Sequence, residues 1–205
     1  MRGCGLCWTE AELEALDRDP VLLSDEIVRK FAWETTSHFD RDEYELAWRR
    51  LGYRVVEVLE RELDNKLTAG LPWARFDSWP EGEQEALRTL ITDVVVRVAG
   101  DPERRHELDR LLQAAAQLDQ DMAPWLRLLD TFADDVVVEV AGTYAWDYAR
   151  DNGPLLTWMW WDDPGKPIRE WLVSDELRAR LSTIDNRNAQ STLEDIDLMI
   201  EFSTR

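Results

Sequence analysis

Two cysteines near the amino terminus are the first residues whose types and spacing suit chemistry. Cys4 and Cys7 form a C-x-x-C motif within the stretch MRGCGLCWTE. Two thiolates at this spacing can chelate one metal ion or act as a redox dithiol. A structural zinc ion needs two further ligands, but the two histidines, His38 and His106, are distant along the chain and are not spaced as in a zinc motif. A redox motif of this type belongs in a βαβ unit, whereas a short helix is predicted to follow here.

We therefore assign no metal ligand and no cofactor from the sequence. The two cysteines precede the first predicted helix cap, so few core contacts should depend on them. We expect residues 1–8 to form a partly ordered arm. We also expect replacement of both cysteines by serine to leave the thermal midpoint nearly unchanged, while the metal and redox alternatives stay open.

The sequence motifs of several common enzyme classes do not occur in this chain. It contains no G-x-x-x-x-G-K-[ST], G-x-G-x-x-G, G-x-S-x-G or H-E-x-x-H. Glu103 and His106 form a single E-x-x-H, but the di-iron helical bundles that use this motif need two copies of it. We therefore assign no catalytic residue and favour binding over catalysis, although a mechanism that uses carboxylates alone stays open.

Aromatic side chains concentrate between residues 144 and 171. Trp158, Trp160 and Trp161 are nearly consecutive, so neither a helix nor a strand can point all three rings at one core. Exposed aromatic rings beside acidic residues are typical of a protein interface or a ligand pocket, and the alternative is that the rings close the open end of a helical bundle. We predict a recognition surface made of the aromatic residues of this stretch and the aspartates beside them, namely Tyr144, Trp146, Tyr148, Trp158, Trp160, Trp161, Asp162, Asp163 and Trp171.

The chain is strongly acidic, with 43 aspartate and glutamate residues against 24 lysine and arginine residues and a net charge of −19. This acidity is spread along the chain rather than held in one tail. Such a surface repels nucleic-acid phosphates and anionic membranes, so ordinary nucleic-acid binding and membrane binding are disfavoured. It attracts a basic protein partner, although solubility alone also explains it.

The sequence also predicts a location for the protein. No run of 18 apolar residues occurs, so no transmembrane helix is expected. The amino-terminal residues lack the apolar stretch of a signal peptide, and two cysteines suit a reducing compartment. We therefore expect a cytoplasmic protein.

Two nearly identical segments, DVVVRVAG at 93–100 and DVVVEVAG at 135–142, lie within apolar patterns of helical period. Val96 and Val138 fall on the opposite side from the main apolar stripes, which predicts that both helices are packed on two sides. A third Val-rich stretch at 55–58 gives spacings near 40 residues, as in two-helix repeats. These patterns predict weak repeat-like stacking of helix pairs.

Helix boundaries are predicted from capping residues, prolines and glycines. Thr9 with Glu12 forms the pattern of a capping box before a short helix. Further helix starts are expected at the polar residues Ser24, Asp40 and Ser174, which precede apolar patterns. A helix is expected to start near Pro80 and to stop at Gly100, and the long Asp40 helix is expected to end at Gly70. Further helix starts are expected near Pro102 and near Pro124, and the last helix is expected to be capped by Ser191 with Glu194.

The fold expected from these signals is a single all-α domain over residues 1–205, a bundle of about seven helices. Residues 151–173 interrupt the pattern as an irregular, aromatic-rich insertion. Turn residues on both sides of its apolar run make residues 154–173 either a small β-hairpin or an aromatic loop.

Two functions are compatible with this sequence. The first is an acidic all-helical interaction protein that engages a basic protein partner, as an antitoxin or immunity protein, a DNA mimic or an assembly factor would. The alternative is a small helical enzyme or carrier with a Trp-lined apolar pocket and carboxylate chemistry. A contiguous acidic face favours the first, and a closed cavity with inward-facing carboxylates favours the second.

Overall fold

The computed structural model describes residues 1–34, 38–151, 153–156, 159 and 161–203, and it confirms the all-α prediction. The described residues form ten α-helices rather than about seven. They are α1 Glu10–Leu16, α2 Asp25–Trp33, α3 Arg41–Glu62, α4 Glu81–Ala99, α5 Leu108–Ala116, α6 Ala123–Leu129, α7 Asp134–Asp151, α8 Lys166–Leu172, α9 Asp175–Thr183 and α10 Arg187–Ser203.

The helices form two groups that meet at α5. In the first group α3 packs against α2 and α4, and in the second α7 packs along α10, which also contacts α9. α5 contacts α4, α6 and α7, so it joins the two groups, and α8 packs against α6, α7 and α9. The buried hydrophobic side chains form one continuous cluster. Across the described residues, we find no helix with the length and apolar character needed to cross a bilayer.

The predicted caps explain where several helices begin. At α1 the amide of Glu12 donates to the Thr9 hydroxyl, while the Thr9 amide donates to the Glu12 carboxylate at 2.8 Å. Ser24 caps α2 through its side-chain oxygen, and Ser174 caps α9 in the same way. Each side-chain oxygen satisfies an amide that has no partner inside the helix, so these helix starts are confirmed.

The predicted end of the long helix is wrong. α3 stops at Glu62 because Leu63 adopts a left-handed conformation with φ 49°, so the helix does not reach Gly70. The residues between α3 and Gly70 form a short 3-10 helix, Asn65–Thr68, instead.

Two predicted helix starts in the middle of the chain also need correction. The helix expected from near Pro124 through the second Val-rich segment is interrupted at residues 130–133 and becomes α6 and α7. The helix expected near Pro102 begins only at Leu108, after a 3-10 turn. The break between α6 and α7 is one reason why the helix count exceeds seven.

The last helix begins earlier than predicted. α10 starts at Arg187, and the side chain of Asn186 accepts a hydrogen bond from the Ala189 amide at 2.8 Å. Ser191 therefore lies inside the helix and does not cap it. Two polar residues five positions apart could cap this helix, and the structure uses the first.

The two Val-rich segments are both helical, as predicted, but they pack differently. Val138 in α7 is 4% exposed because α5 and α10 contact this helix. Val96, at the corresponding position in α4, is 47% exposed, so the prediction that α4 is packed on two sides is wrong. The predicted repeat-like stacking of helix pairs is not confirmed.

Of the two alternatives for residues 154–173, the hairpin is wrong and the irregular loop is wrong from Lys166 onwards. Lys166–Leu172 form α8, with Pro167 in its first turn, where a missing amide hydrogen costs no helical hydrogen bond. Among the described residues from 153 to the start of α8 the chain is irregular, and none forms a strand. The proline marks a helix start here rather than a weakened strand.

An aromatic cluster fills the core of the first group of helices. Centroids of neighbouring rings lie 5.4 to 6.4 Å apart in tilted, stacked and edge-on arrangements. Gly70 closes this cluster, because a β-carbon there would collide with the Tyr44 hydroxyl and the indole of Trp48. We call these five rings the aromatic cluster: Trp8, Phe31, Phe39, Tyr44 and Trp48.

The amino-terminal segment is attached to this core. Trp8 is 2% exposed, and the backbone of Gly3 forms an antiparallel bridge with that of Phe39. Lys30 of α2 lies 4.4 Å from the centre of the Trp8 ring and 2.6 Å from the carboxylate of Glu12. The hydrogen bond from Lys30, together with those from the capping amide and hydroxyl, lowers the pKa of Glu12 to about 2.

Replacement of Trp48 by alanine tests the aromatic cluster. The side chain is 1% exposed, so we expect Trp48→Ala to lower the free energy of unfolding by roughly 3–5 kcal/mol through lost transfer energy and an unfilled cavity. Urea unfolding measures this change. Trp73→Ala is the control, because that ring is 42% exposed and should matter little. Equal losses in the two variants would contradict the assigned role.

The ion pair between Glu12 and Lys30 links α1 to α2. The pH dependence of stability in the wild type and in Glu12→Gln tests this link. A carboxylate whose pKa is lowered in the folded state stabilises the fold above its ordinary pKa and loses that contribution as the pH falls through the folded value. We expect the wild type to be more stable than Glu12→Gln at neutral pH, and the difference to shrink as the pH falls from 4.5 towards 2. Urea midpoints over this range give the difference, and a gap independent of pH would count against the ion pair.

Candidate functional site

An open cleft of about 340 Å³ lies where the end of α3 meets α5 and the second half of α7. Its lining side chains include four carboxylates and one base. Leu155 forms part of the rim and is 80% exposed. We call this the acidic cleft, and its charged residues are Glu62, Asp64, Asp109, Asp147 and Arg110.

Asp109 is the most unusual of these carboxylates. Removal from water raises the pKa of Asp109 above the ordinary value, and the nearby charge of Asp147 raises it further. The backbone amide and the positive charge of Arg110 lower this pKa, but they do not cancel the increase. Within the described part of the chain no base forms an ion pair with Asp109. Its backbone is held from the core side, where the Tyr144 hydroxyl donates to the Asp109 carbonyl at 3.2 Å.

Two other carboxylates of the acidic cleft already have partners. The Arg29 side chain donates to Glu62, with its Nε 2.9 Å from Oε2, and this bond lowers the pKa of Glu62. Asp64 accepts a hydrogen bond from the Lys66 amide at 3.0 Å, which starts a short 3-10 turn. Asp109 differs from both, because burial raises its pKa and no ion pair among the described residues offsets this effect. No local sequence pattern indicated this environment.

Two residues of the sequence-predicted recognition surface lie in the core. Tyr144 is fully buried, and burial raises its pKa well above the ordinary value. Trp171 is 9% exposed, and its indole nitrogen donates to the Asp130 carboxylate at 2.8 Å. Both rings hold neighbouring helices together, and Tyr144 also positions the backbone under the acidic cleft.

Trp146 is the ring most open to solvent among the described residues of this set. Its side chain is 52% exposed, and the guanidinium of Arg150 lies 3.3 Å from its ring centre. Arg150 is held in turn by the carboxylate of Asp195 at 2.8 Å. A cleft of about 260 Å³ between α7 and α10 begins beside this ring.

Two further predicted residues lie beside α8. Tyr148 is half-buried, and its hydroxyl donates to the Gly165 carbonyl at 3.0 Å. Asp163 accepts a hydrogen bond from Arg169 at 2.6 Å, and the Arg169 guanidinium lies 5.9 Å from the centre of the Tyr148 ring. The structure therefore brings Tyr148, Asp163 and Arg169 together.

The rest of the predicted set is divided between different environments. Asp162 is exposed, whereas Trp161 is partly buried and packs against the core. Trp158 and Trp160 lie outside the described residues. The described members of the set therefore do not share one face of the molecule.

A second cluster joins residues that are far apart in the sequence. The ligand atoms of Cys4, Cys7 and His38 all lie within 4.8 Å of one another. Hydrogen bonding from the backbone of Leu6 lowers the pKa of Cys4 to about 7, and the His38 side chain adds to this effect. Partial desolvation and the neighbouring Cys4 raise the pKa of Cys7.

The sequence did not predict that His38 lies close to the two cysteines, because 30 residues lie between Cys7 and His38. Their approach depends on how the amino-terminal segment docks on the segment before α3. No local motif records such a tertiary contact, so spacing alone could not find it.

Comparison with known proteins adds no functional assignment. No family model, no curated protein and no solved structure matches this chain. The acidic cleft and the cysteine–histidine cluster are therefore the features from which a function can be inferred.

Proposed function

We propose that this protein binds a basic protein partner and that the acidic cleft receives a lysine or arginine side chain of that partner. The observation that carries the proposal is Asp109, a partly desolvated carboxylate in an open cleft with no ion pair among the described residues. Keeping such a charge out of water costs free energy unless a partner compensates it. A cationic side chain from outside supplies that compensation.

The overall charge supports the same partner. Acidic residues exceed basic ones by 19. Several arginines already bind carboxylates between helices, as Arg49 does with Glu83 at 2.6 Å and Arg97 with Glu60 at 2.7 Å. These bases act within the fold, and the surplus carboxylates set the electrostatic field that a partner meets. Such a field steers a basic protein to the surface and speeds association.

Exposed apolar side chains near the charges could add contact energy. Leu155 is exposed on the rim of the acidic cleft, and Trp146 in the second half of α7 is half-exposed. Interfaces gain most of their energy from a few anchors of this kind, with charged residues around them. We therefore propose Leu155 as a contact residue beside Asp109, and we retain the exposed Trp146 and Asp162 as candidate contact residues outside the acidic cleft.

Replacement of Asp109 by asparagine tests whether this carboxylate is needed for the stability of the fold. A carboxylate whose pKa is raised in the folded state favours the fold at low pH, and this contribution is lost as the pH rises through the folded value. We therefore expect Asp109→Asn to be more stable than the wild type at neutral pH and to lose this advantage in acid. Urea unfolding of both proteins measures the effect, with the exposed Asp185→Asn as a control. A destabilised Asp109→Asn would show that the carboxylate is structurally required.

The cleft itself is tested with a defined cationic probe. We expect a capped tri-arginine peptide to shift the backbone NMR signals around Asp109, and Asp109→Asn to weaken this binding about tenfold, as loss of a charge-assisted hydrogen bond predicts. Asp185→Asn has the same net charge as Asp109→Asn and should bind the peptide as the wild type does. Equal weakening in both variants would mean that the peptide responds only to the overall charge.

The natural partner is tested with the same pair of variants. Wild type, Asp109→Asn and Asp185→Asn serve as baits in extracts of the native host, and mass spectrometry identifies what each retains. The proposal expects a basic protein on the wild type and on Asp185→Asn but not on Asp109→Asn. Retention of the same proteins by all three baits, or of acidic proteins alone, would contradict it.

A further inference from the structure

The turn after Cys4 brings two thiols to one side of the chain. The amides of Cys7 and Trp8 both donate to the Cys4 carbonyl at 3.0 Å, so the backbone folds over within four residues. Cys4 is partly buried in this turn, whereas Cys7 is exposed. A C-x-x-C in such a turn presents two sulfur atoms to one centre, as zinc sites require.

His38 is fixed beside this turn by backbone pairing. The Cys4 amide donates to the His38 carbonyl at 2.8 Å, next to the antiparallel bridge between Gly3 and Phe39. Trp8 and Phe39, which directly follow Cys7 and His38 in sequence, pack within the aromatic cluster with centroids 5.4 Å apart. The core therefore holds both pieces of chain, and the three ligand atoms fall within 4.8 Å of one another.

The two ring nitrogens of His38 differ in a way that points to a ligand. Nε2 lies 3.5 Å from a carboxylate oxygen of Glu34. Nδ1 is buried and makes no hydrogen bond of good geometry among the described residues, although the His38 side chain lies close enough to the Cys4 thiol to lower its pKa. In a metal-binding histidine, the ring nitrogen that does not bind the metal commonly donates its N–H to a carboxylate. This hydrogen bond fixes the tautomer and leaves the lone pair of the other nitrogen for the ion. A buried nitrogen without a partner is otherwise costly.

We propose that Cys4, Cys7 and His38 bind one zinc ion, with Nδ1 as the histidine ligand and Glu34 as the residue that orients the ring. Two thiolates and an imidazole suit zinc rather than magnesium or calcium, which prefer oxygen ligands. The thiol protons leave to solvent as the Zn–S bonds form. Cys7 is exposed, so water or a further ligand can reach the site from solvent to complete the tetrahedron.

Bound zinc would tie the amino-terminal segment to the segment that leads into α3. An ion that binds only the folded state stabilises it in proportion to its affinity and concentration. The metal-free protein keeps the aromatic cluster, so without zinc the loss of both thiols should change stability little. With zinc present, the wild type should gain thermal stability and Cys4→Ser/Cys7→Ser should not.

Metal analysis of matched histidine variants tests the proposal. We expect about one zinc ion per chain in the reduced wild type and in His106→Ala after exposure to zinc and removal of loose metal. His38→Ala should bind zinc at least about tenfold more weakly, and Glu34→Gln about tenfold more weakly. Full zinc retention by His38→Ala, or equal losses in His38→Ala and His106→Ala, would overturn the site.

A cobalt titration of the wild type covers the case in which His38→Ala fails to fold. We expect thiolate-to-cobalt absorption that saturates at about one equivalent and disappears when zinc is added. Absence of this absorption in protein with two free thiols would overturn the proposal. So would a Cys4–Cys7 disulfide that forms readily while neither metal binds, since that result identifies a redox dithiol instead.

Discussion

The packing of the aromatic cluster is the interaction on which the amino-terminal half of the fold depends. Its rings come from three places: the amino-terminal segment, α2, and the start of α3 with the residues just before it. No single helix could bury these rings alone, so the cluster forms only when the three pieces of chain meet. Trp8 directly follows Cys7, and Phe39 directly follows His38, so the packing of these two rings also brings the proposed zinc ligands together.

Negative charge is the second constraint, and arginines that bridge between helices reduce its effect. Pairs such as Arg88 with Asp119 and Arg180 with Asp134 join residues that are distant along the chain. These pairs are partly exposed, so each contributes modestly, but together they reduce repulsion between helices. Asp109 lies outside this arrangement, because its environment disfavours its charge and it has no ion pair among the described residues. This contrast is the reason why we propose Asp109, rather than the paired carboxylates, as the residue that binds a partner.

Helical periodicity and capping residues predicted much of the fold, since both act over a few residues. Thr9, Ser24 and Ser174 begin helices as predicted. Helix ends were harder to predict, because α3 ends at a left-handed Leu63, a conformation that leucine rarely adopts and that no local pattern records. The same limit applies to the sites, because the desolvation of Asp109 and the approach of His38 to the cysteines both arise from contacts between residues far apart in sequence.

The proposed zinc site depends directly on core packing, since the aromatic cluster holds Cys4, Cys7 and His38 together. X-ray absorption of the zinc-loaded wild-type protein tests this most directly, because it reports the ligand atoms themselves. We expect two sulfur ligands at about 2.3 Å and nitrogen or oxygen ligands at about 2.0–2.1 Å, with the multiple-scattering pattern of an imidazole. Four sulfur ligands, as when two chains share an ion, or a shell of oxygen atoms without sulfur would contradict it.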